Sequence, residues 1–216
     1  MKKIKLIKIL TPVFLTAFLS GSSLFAYMPI QGKEHKLYTE ADISLYIPFQ
    51  DYGTGFAFNV KADYLVPLNK PFQFLAGLES GGYFLGSVDG RINDPLIGGV
   101  QNYNLDLSKM PVYINVTYPL YFLNKFTNLG GQIYTFAGFG LGMQLSSTTF
   151  TMQKTETNEG DTAFAWHIFL GANRPLGPGY LKLLFDFDFS SVKTVTGGDS
   201  GLSGFAIQVG YGFGFL

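Results

Sequence analysis

Eight stretches of this chain alternate apolar and non-apolar side chains residue by residue, and that period limits what the chain can fold into. Successive side chains of a strand point to opposite faces, so a period of two predicts strands with one greasy face. Over 40–49 the apolar row is Ala41, Ile43, Leu45, Ile47 and Phe49, set against Glu40, Asp42, Ser44 and Tyr46. Over 55–66 it is Phe56, Phe58, Val60, Ala62, Tyr64 and Val66, set against Asn59, Lys61 and Asp63. The alternation recurs over 72–85, 111–120, 132–145, 163–173, 180–190 and 204–216. Each stretch is about the 9–11 residues that a tilted membrane strand needs.

Composition decides which row faces outward. Charged residues are 14% of the chain and aromatic residues 17%, with 27 glycines. Soluble domains carry about 25% charge. A soluble eight-stranded barrel has a greasy inside and a charged outside, and these polar rows hold too little charge to cover such a surface. Past the N-terminus no apolar run approaches the ~18–20 residues of a membrane helix. Backbone polar groups in hydrocarbon must all be paired, so a membrane sheet has to close on itself. The expected fold is all-β: an eight-stranded antiparallel transmembrane β-barrel, an up-and-down meander. Its apolar rows face lipid and its mixed rows fill a narrow interior.

The N-terminus reads as an address. Lys2, Lys3, Lys5 and Lys8 precede an uncharged stretch from Ile9 to Leu19, then Ser20 to Ser23 and Leu24-Phe25-Ala26. This is the layout of a secretory signal peptide over 1–26, leaving a transmembrane β-barrel domain over 27–216. Its removal takes four of the fifteen basic residues and none of the fifteen acids, so the exported chain is mildly acidic. That balance disfavours a nucleic-acid partner. The absence of Cys removes disulfides, thiolate metal sites and thiol catalysis.

The links alternate in length. Those at 67–71, 121–130 and 174–179 are tighter, whereas 87–109, 146–161 and 191–203 are long and polar. Outer-membrane barrels have short periplasmic turns and long outer loops, which puts both termini on the periplasmic side. Tyr64, Phe72, Tyr118, Phe126 and Phe213 then lie toward the periplasm, and Phe49, Phe56, Phe164, Trp166 and Phe189 toward the outside, as interfacial girdles.

The inward rows carry a candidate polar network of Glu40, Asp42, Lys61, Asp63, Glu79, His167, Lys182, Asp186 and Asp188. Counting back from the turn at 67–71 brings Lys61 to Glu79, with Asp42 near. Counting from 174–179 sets His167 opposite Asp186 and Lys182 opposite Gly171. Ion pairs filling a lumen account for such a set; a weak cation path is the functional alternative. No metal or cofactor motif is present, and a His–Asp pair with no inward Ser beside it predicts no enzyme.

The stretches Met110 to Tyr118, Tyr134 to Gly142 and Gly210 to Leu216 resemble small eight-stranded outer-membrane barrels: the OmpA membrane domain, OmpX and OmpW-like proteins. The resemblance spans the exported chain and is one of architecture. It implies a monomer in outer-membrane lipid, with a structural or surface-interaction role in the bacterial envelope and extracellular ligands for the outer loops. A narrow channel, or a path for small hydrophobic molecules, is the alternative it offers. It also implies that the closing row Val209, Tyr211, Phe213 and Phe215 addresses the barrel-assembly machinery. The last residue, Leu216, stands where such barrels usually carry an aromatic.

Overall fold

In a computed structural model of the chain, residues 36–49, 52–66, 68, 73–94, 99–120, 133–152, 155–194 and 198–215 are described. The segment 1–26, Phe72, Phe126 and Leu216 lie outside them. The described residues form ten strands: β1 (Leu37–Pro48), β2 (Gly53–Val66), β3 (Phe74–Gly86), β4 (Val88–Asp94), β5 (Gly99–Pro119), β6 (Tyr134–Met152), β7 (Thr155–Leu176), β8 (Gly179–Thr194), β9 (Gly198–Gly201) and β10 (Gly204–Phe215). Every pairing between them is antiparallel.

The strands β1, β2, β3, β5, β6, β7, β8 and β10 are the staves of the barrel, each paired with the next. Closure comes from β10, which pairs with β1 on one side and β8 on the other. The eight-stranded antiparallel meander expected from the alternation is the fold. The short strands β4 and β9 are outward additions, pairing with β5 and β8 respectively.

Side-chain exposure has the inverse of soluble polarity. Phe56, Ile114 and Phe164 are 63%, 66% and 65% exposed on the outer surface, while Asp42, Lys182 and Asp186 are at most 2% exposed inside. A surface of this kind belongs in hydrocarbon. The outward aromatics near the strand ends include Tyr64, Tyr118 and Phe213 at the inner end and Phe49, Phe56 and Phe164 at the outer. Trp166 stacks on Phe189 there, with ring centroids 4.2 Å apart.

The long outer links are largely strand. Between 87 and 109, β4 folds back on the outer half of β5, from Val88 opposite Leu105 to Asp94 opposite Gly99. Between 146 and 161, β6 and β7 stay paired to Met152 opposite Thr155. In 191–203, β8 pairs with β9. Alternation of apolar with polar residues vanishes here because neither face needs to meet lipid, although Leu107, Ser146 and Thr148 stay buried on the lumen side. The strand preference of Thr148, Thr149 and Thr151 persists all the same.

At the opposite end β7 runs through Arg174 and Pro175 to Leu176, and only Gly177 and Pro178 make the turn to β8. Gly177 has φ +59°, the left-handed value that a two-residue hairpin asks of its first central residue. The turn is therefore centred one residue later than the 174–179 link, which moves the register by two residues. His167 faces Asp188, and Lys182 faces Asn173.

Candidate functional site in the lumen and the outer sheet

The interior is layered. Tyr38, Leu65, Tyr134 and Tyr180 form an apolar cluster at the end of the barrel that carries the β7–β8 turn. Tyr46, Ala57, Tyr83, Leu85, Leu107, Leu202 and Ala206 form another at the outer end. Polar and charged side chains occupy most of the space between, where each must find a partner inside the barrel.

All nine network residues named from the sequence face this interior, with partners that differ from simple cross-strand neighbours. Lys182 reaches past β10 to β1, where its ammonium donates to Glu40 and Asp42, both at 2.5 Å. The Tyr180 hydroxyl donates to Glu40 as well, at 2.7 Å. Lys61 stands opposite Glu40 on β1 and Glu79 on β3. Its ammonium nevertheless sits on Asp63, two residues along its own strand, at 2.9 Å, and donates to Thr117 Oγ1 at 2.9 Å. Asp42 stands opposite Asn59, one diagonal step from Lys61.

A chain of hydrogen bonds crosses the lumen from β3 to β10. Asn115 Nδ2 donates to Glu79 at 2.6 Å, which turns its Oδ1 toward His167 Nε2 at 2.8 Å. His167 Nδ1 meets Asp186 at 3.0 Å, a diagonal contact, and Gln208 Nε2 donates to the other Asp186 oxygen at 3.2 Å. Tyr113 stacks on the imidazole, centroids 4.1 Å apart, and its hydroxyl donates to Asp188 at 2.9 Å. Both ring nitrogens of His167 are thus held by Asp186 and Asn115, whereas a hydrolytic dyad needs one of them on a nucleophile. Among the described residues no group of three or more His, Asp or Glu side chains could hold a metal ion.

Sequence reasoning missed a residue that bridges several walls of the barrel. Lys109, assigned there to an outer link, is buried in the lumen. Its ammonium pairs with Asp188 on β8, donates to the Tyr46 hydroxyl on β1 at 2.8 Å and to the Leu202 carbonyl at 3.0 Å. It also lies over the Tyr46 ring, 4.1 Å from the centroid. β5 stands three staves from both β8 and β1, so one cation ties opposite walls together. The signal was available, since extending the inward row Thr117, Asn115, Tyr113 and Pro111 by one more step reaches Lys109.

Inward glycines make room for these contacts. A Cβ on Gly140 would lie 2.1 Å from Asn115 Oδ1 and 2.2 Å from His167 Nε2. Gly138 and Gly171 lie beneath the rings of Phe169 and Phe136, their direct cross-strand partners.

Above the bilayer, β4, β5, β6 and β7 continue as a four-stranded sheet. Its lumen-side face is partly apolar, with Tyr103 stacked on Phe150 at 5.5 Å. Its opposite face is polar and includes Asp89, which accepts a bond from Asn104 at 2.9 Å. β7 pairs with β8 only from Ala165 inward. From Thr155 to Phe164, β7 is paired with β6 on one side and, among the described residues, with no strand on the other.

No protein-family model matches this chain, and no curated protein matches it in sequence. Twelve chains of solved structures match in shape. A major outer membrane protein from Thermus thermophilus is similar with TM-score 0.51 and 15% identity, covering 83% of this chain and 98% of that one. Neisserial surface protein A aligns with TM-score 0.48 and 11% identity, over 83% of this chain and 97% of the other. The attachment invasion locus protein Ail of Yersinia pestis aligns with TM-score 0.46 and 13% identity, over 82% and 97%. The fold is that of the small eight-stranded outer-membrane barrels.

Proposed function

We propose that the protein is a monomeric, non-catalytic outer-membrane barrel of the bacterial envelope that presents its four-stranded outer sheet for contact with other molecules. In this reading the segment 1–26 directs export, and the row Val209, Tyr211, Phe213 and Phe215 addresses the assembly machinery. The observation that carries the proposal is the outer part of β7, Thr155 to Phe164, which among the described residues pairs with β6 on one side and with no strand on the other. The second side of such a strand can take an incoming extended chain by strand addition. This edge holds Glu156, Glu159 and Asp161 and no basic residue. Two copies of it would set acid against acid, so the charge favours an extended basic polypeptide over a second copy. Lys109, bridging three staves, speaks against the narrow-channel alternative. Reproducible openings in planar bilayers would favour that alternative instead.

The test is a short lysine- and threonine-rich peptide titrated onto the detergent-solubilised protein and followed by anisotropy. Saturable binding is expected, weakened about tenfold or more by Glu156→Lys with Glu159→Lys. Absence of binding, or equal binding by the charge-reversed variant, would contradict the proposal.

A further inference from the structure

We propose that Leu202 is a stopper that closes the outer end of a water-holding lumen. Leu202 lies in the two-residue connection between β9 and β10, on the outer side, where connecting segments normally run over the surface. It is nonetheless 1% exposed, its side chain packed among Tyr46, Tyr83 and Leu107 across the barrel mouth. Its carbonyl is held twice, by the Tyr46 hydroxyl at 2.6 Å and by Lys109 at 3.0 Å. The next residue fastens the connection to both neighbouring walls. Phe49 N donates to the Ser203 carbonyl at 2.9 Å, and Ser190 N donates to Ser203 Oγ at 3.1 Å.

Immediately beneath this layer the chemistry changes. One inward step toward the periplasm from Tyr46 is Ser44; from Ala57 it is Asn59; from Ala206 it is Gln208. All three are at most 6% exposed. Among the described residues, Ser44 Oγ and Gln208 Oε1 have no hydrogen-bond partner in the protein. Gln144, 0% exposed on β6, has neither amide atom partnered. Buried polar groups of this number require partners, and water is the one that fits a polar, enclosed space. The layer beneath the outer cluster thus holds water, and Leu202 with its doubly held carbonyl separates it from the outside. This inference is independent of any partner at the β7 edge.

The chain has no cysteine, so a single Ser44→Cys substitution supplies a clean probe in full-length protein reconstituted with its outer end facing the medium. A small cationic methanethiosulfonate is added to the outer side. Slow labelling is expected with Leu202 in place. Leu202→Gly is expected to speed labelling about tenfold or more, because the buried Leu side chain no longer holds the closed state. Leu202→Met, which still fills the mouth, should label slowly. Heat-dependent gel mobility identifies folded protein, and Leu202→Ala serves if Leu202→Gly does not insert. Equal labelling rates with Leu202 and with the truncated side chain, whether both fast or both slow, would overturn the proposal.

Discussion

Replacing Lys109 with Met is expected to lower the unfolding free energy of the barrel by about 3 kcal/mol or more, the usual cost of removing one partner of a buried ion pair. Three groups depend on this ammonium: the Asp188 carboxylate, the Tyr46 hydroxyl and the Leu202 carbonyl. In the variant Asp188 would still accept from the Tyr113 hydroxyl at 2.9 Å, but that donor is neutral. A carboxylate left without its cation in a narrow lumen is the dominant loss. Exposed lysines contribute far less, within about 1 kcal/mol. The check is a urea unfolding curve in lipid vesicles, with Lys109→Met beside Lys109→Met/Asp188→Leu. The double variant should recover part of the loss, since it removes both charges rather than stranding one. An unchanged midpoint for the single variant would place Lys109 outside the lumen.

The next largest effect is expected from a single methyl group. Gly140→Ala should cost about 1–3 kcal/mol, through overpacking and the loss of a buried hydrogen bond. The added Cβ falls within 2.2 Å of both partners of the His167–Asn115 bond. Neither can retreat freely, because Asn115 is held by Glu79, and His167 lies between Asp186 and the Tyr113 ring. Gly160→Ala is the matched control. It lies on the outer part of β7, and its Cβ would meet only Ser146 O, at an ordinary 3.7 Å. That change should stay within about 0.5 kcal/mol of the parent. If the two variants unfold alike in urea, Gly140 is not beneath the cross-barrel chain.

The barrel was legible because a bilayer enforces strict alternation. Phe56, Phe58 and Val60 must all face lipid, and a one-residue slip would bring Asn59 and Lys61 into it. That constraint ends at the membrane surface. Ser146 to Met152 and Thr155 to Asp161 have no lipid-facing row, and the buried Ser146 and Thr148 are polar, so their strands left no alternating mark. Lys109 is a different case: it stands one step beyond Pro111 on the same inward row, and it was missed because the strand was expected to begin at Pro111. The error at His167 was different in kind. Pro175 looked like part of a loop, yet β7 runs through it to a two-residue turn, shifting every β7–β8 pair by two. The His167–Asp186 contact forms even so, because side chains two residues apart on a neighbouring strand remain within reach. Cross-strand register alone could not assign Lys61 to Asp63 and Thr117, since that choice depends on where its long side chain extends in the lumen.

Which row of each strand touches hydrocarbon is reported directly by the single tryptophan. Trp166 points outward, 38% exposed, beside the inward, buried His167. In vesicles whose acyl chains carry bromine near the ester end, its fluorescence should be strongly quenched, while aqueous iodide should have little effect. Strong quenching by iodide with none by the brominated lipid would show that this row faces water, contradicting the assignment of faces throughout the barrel.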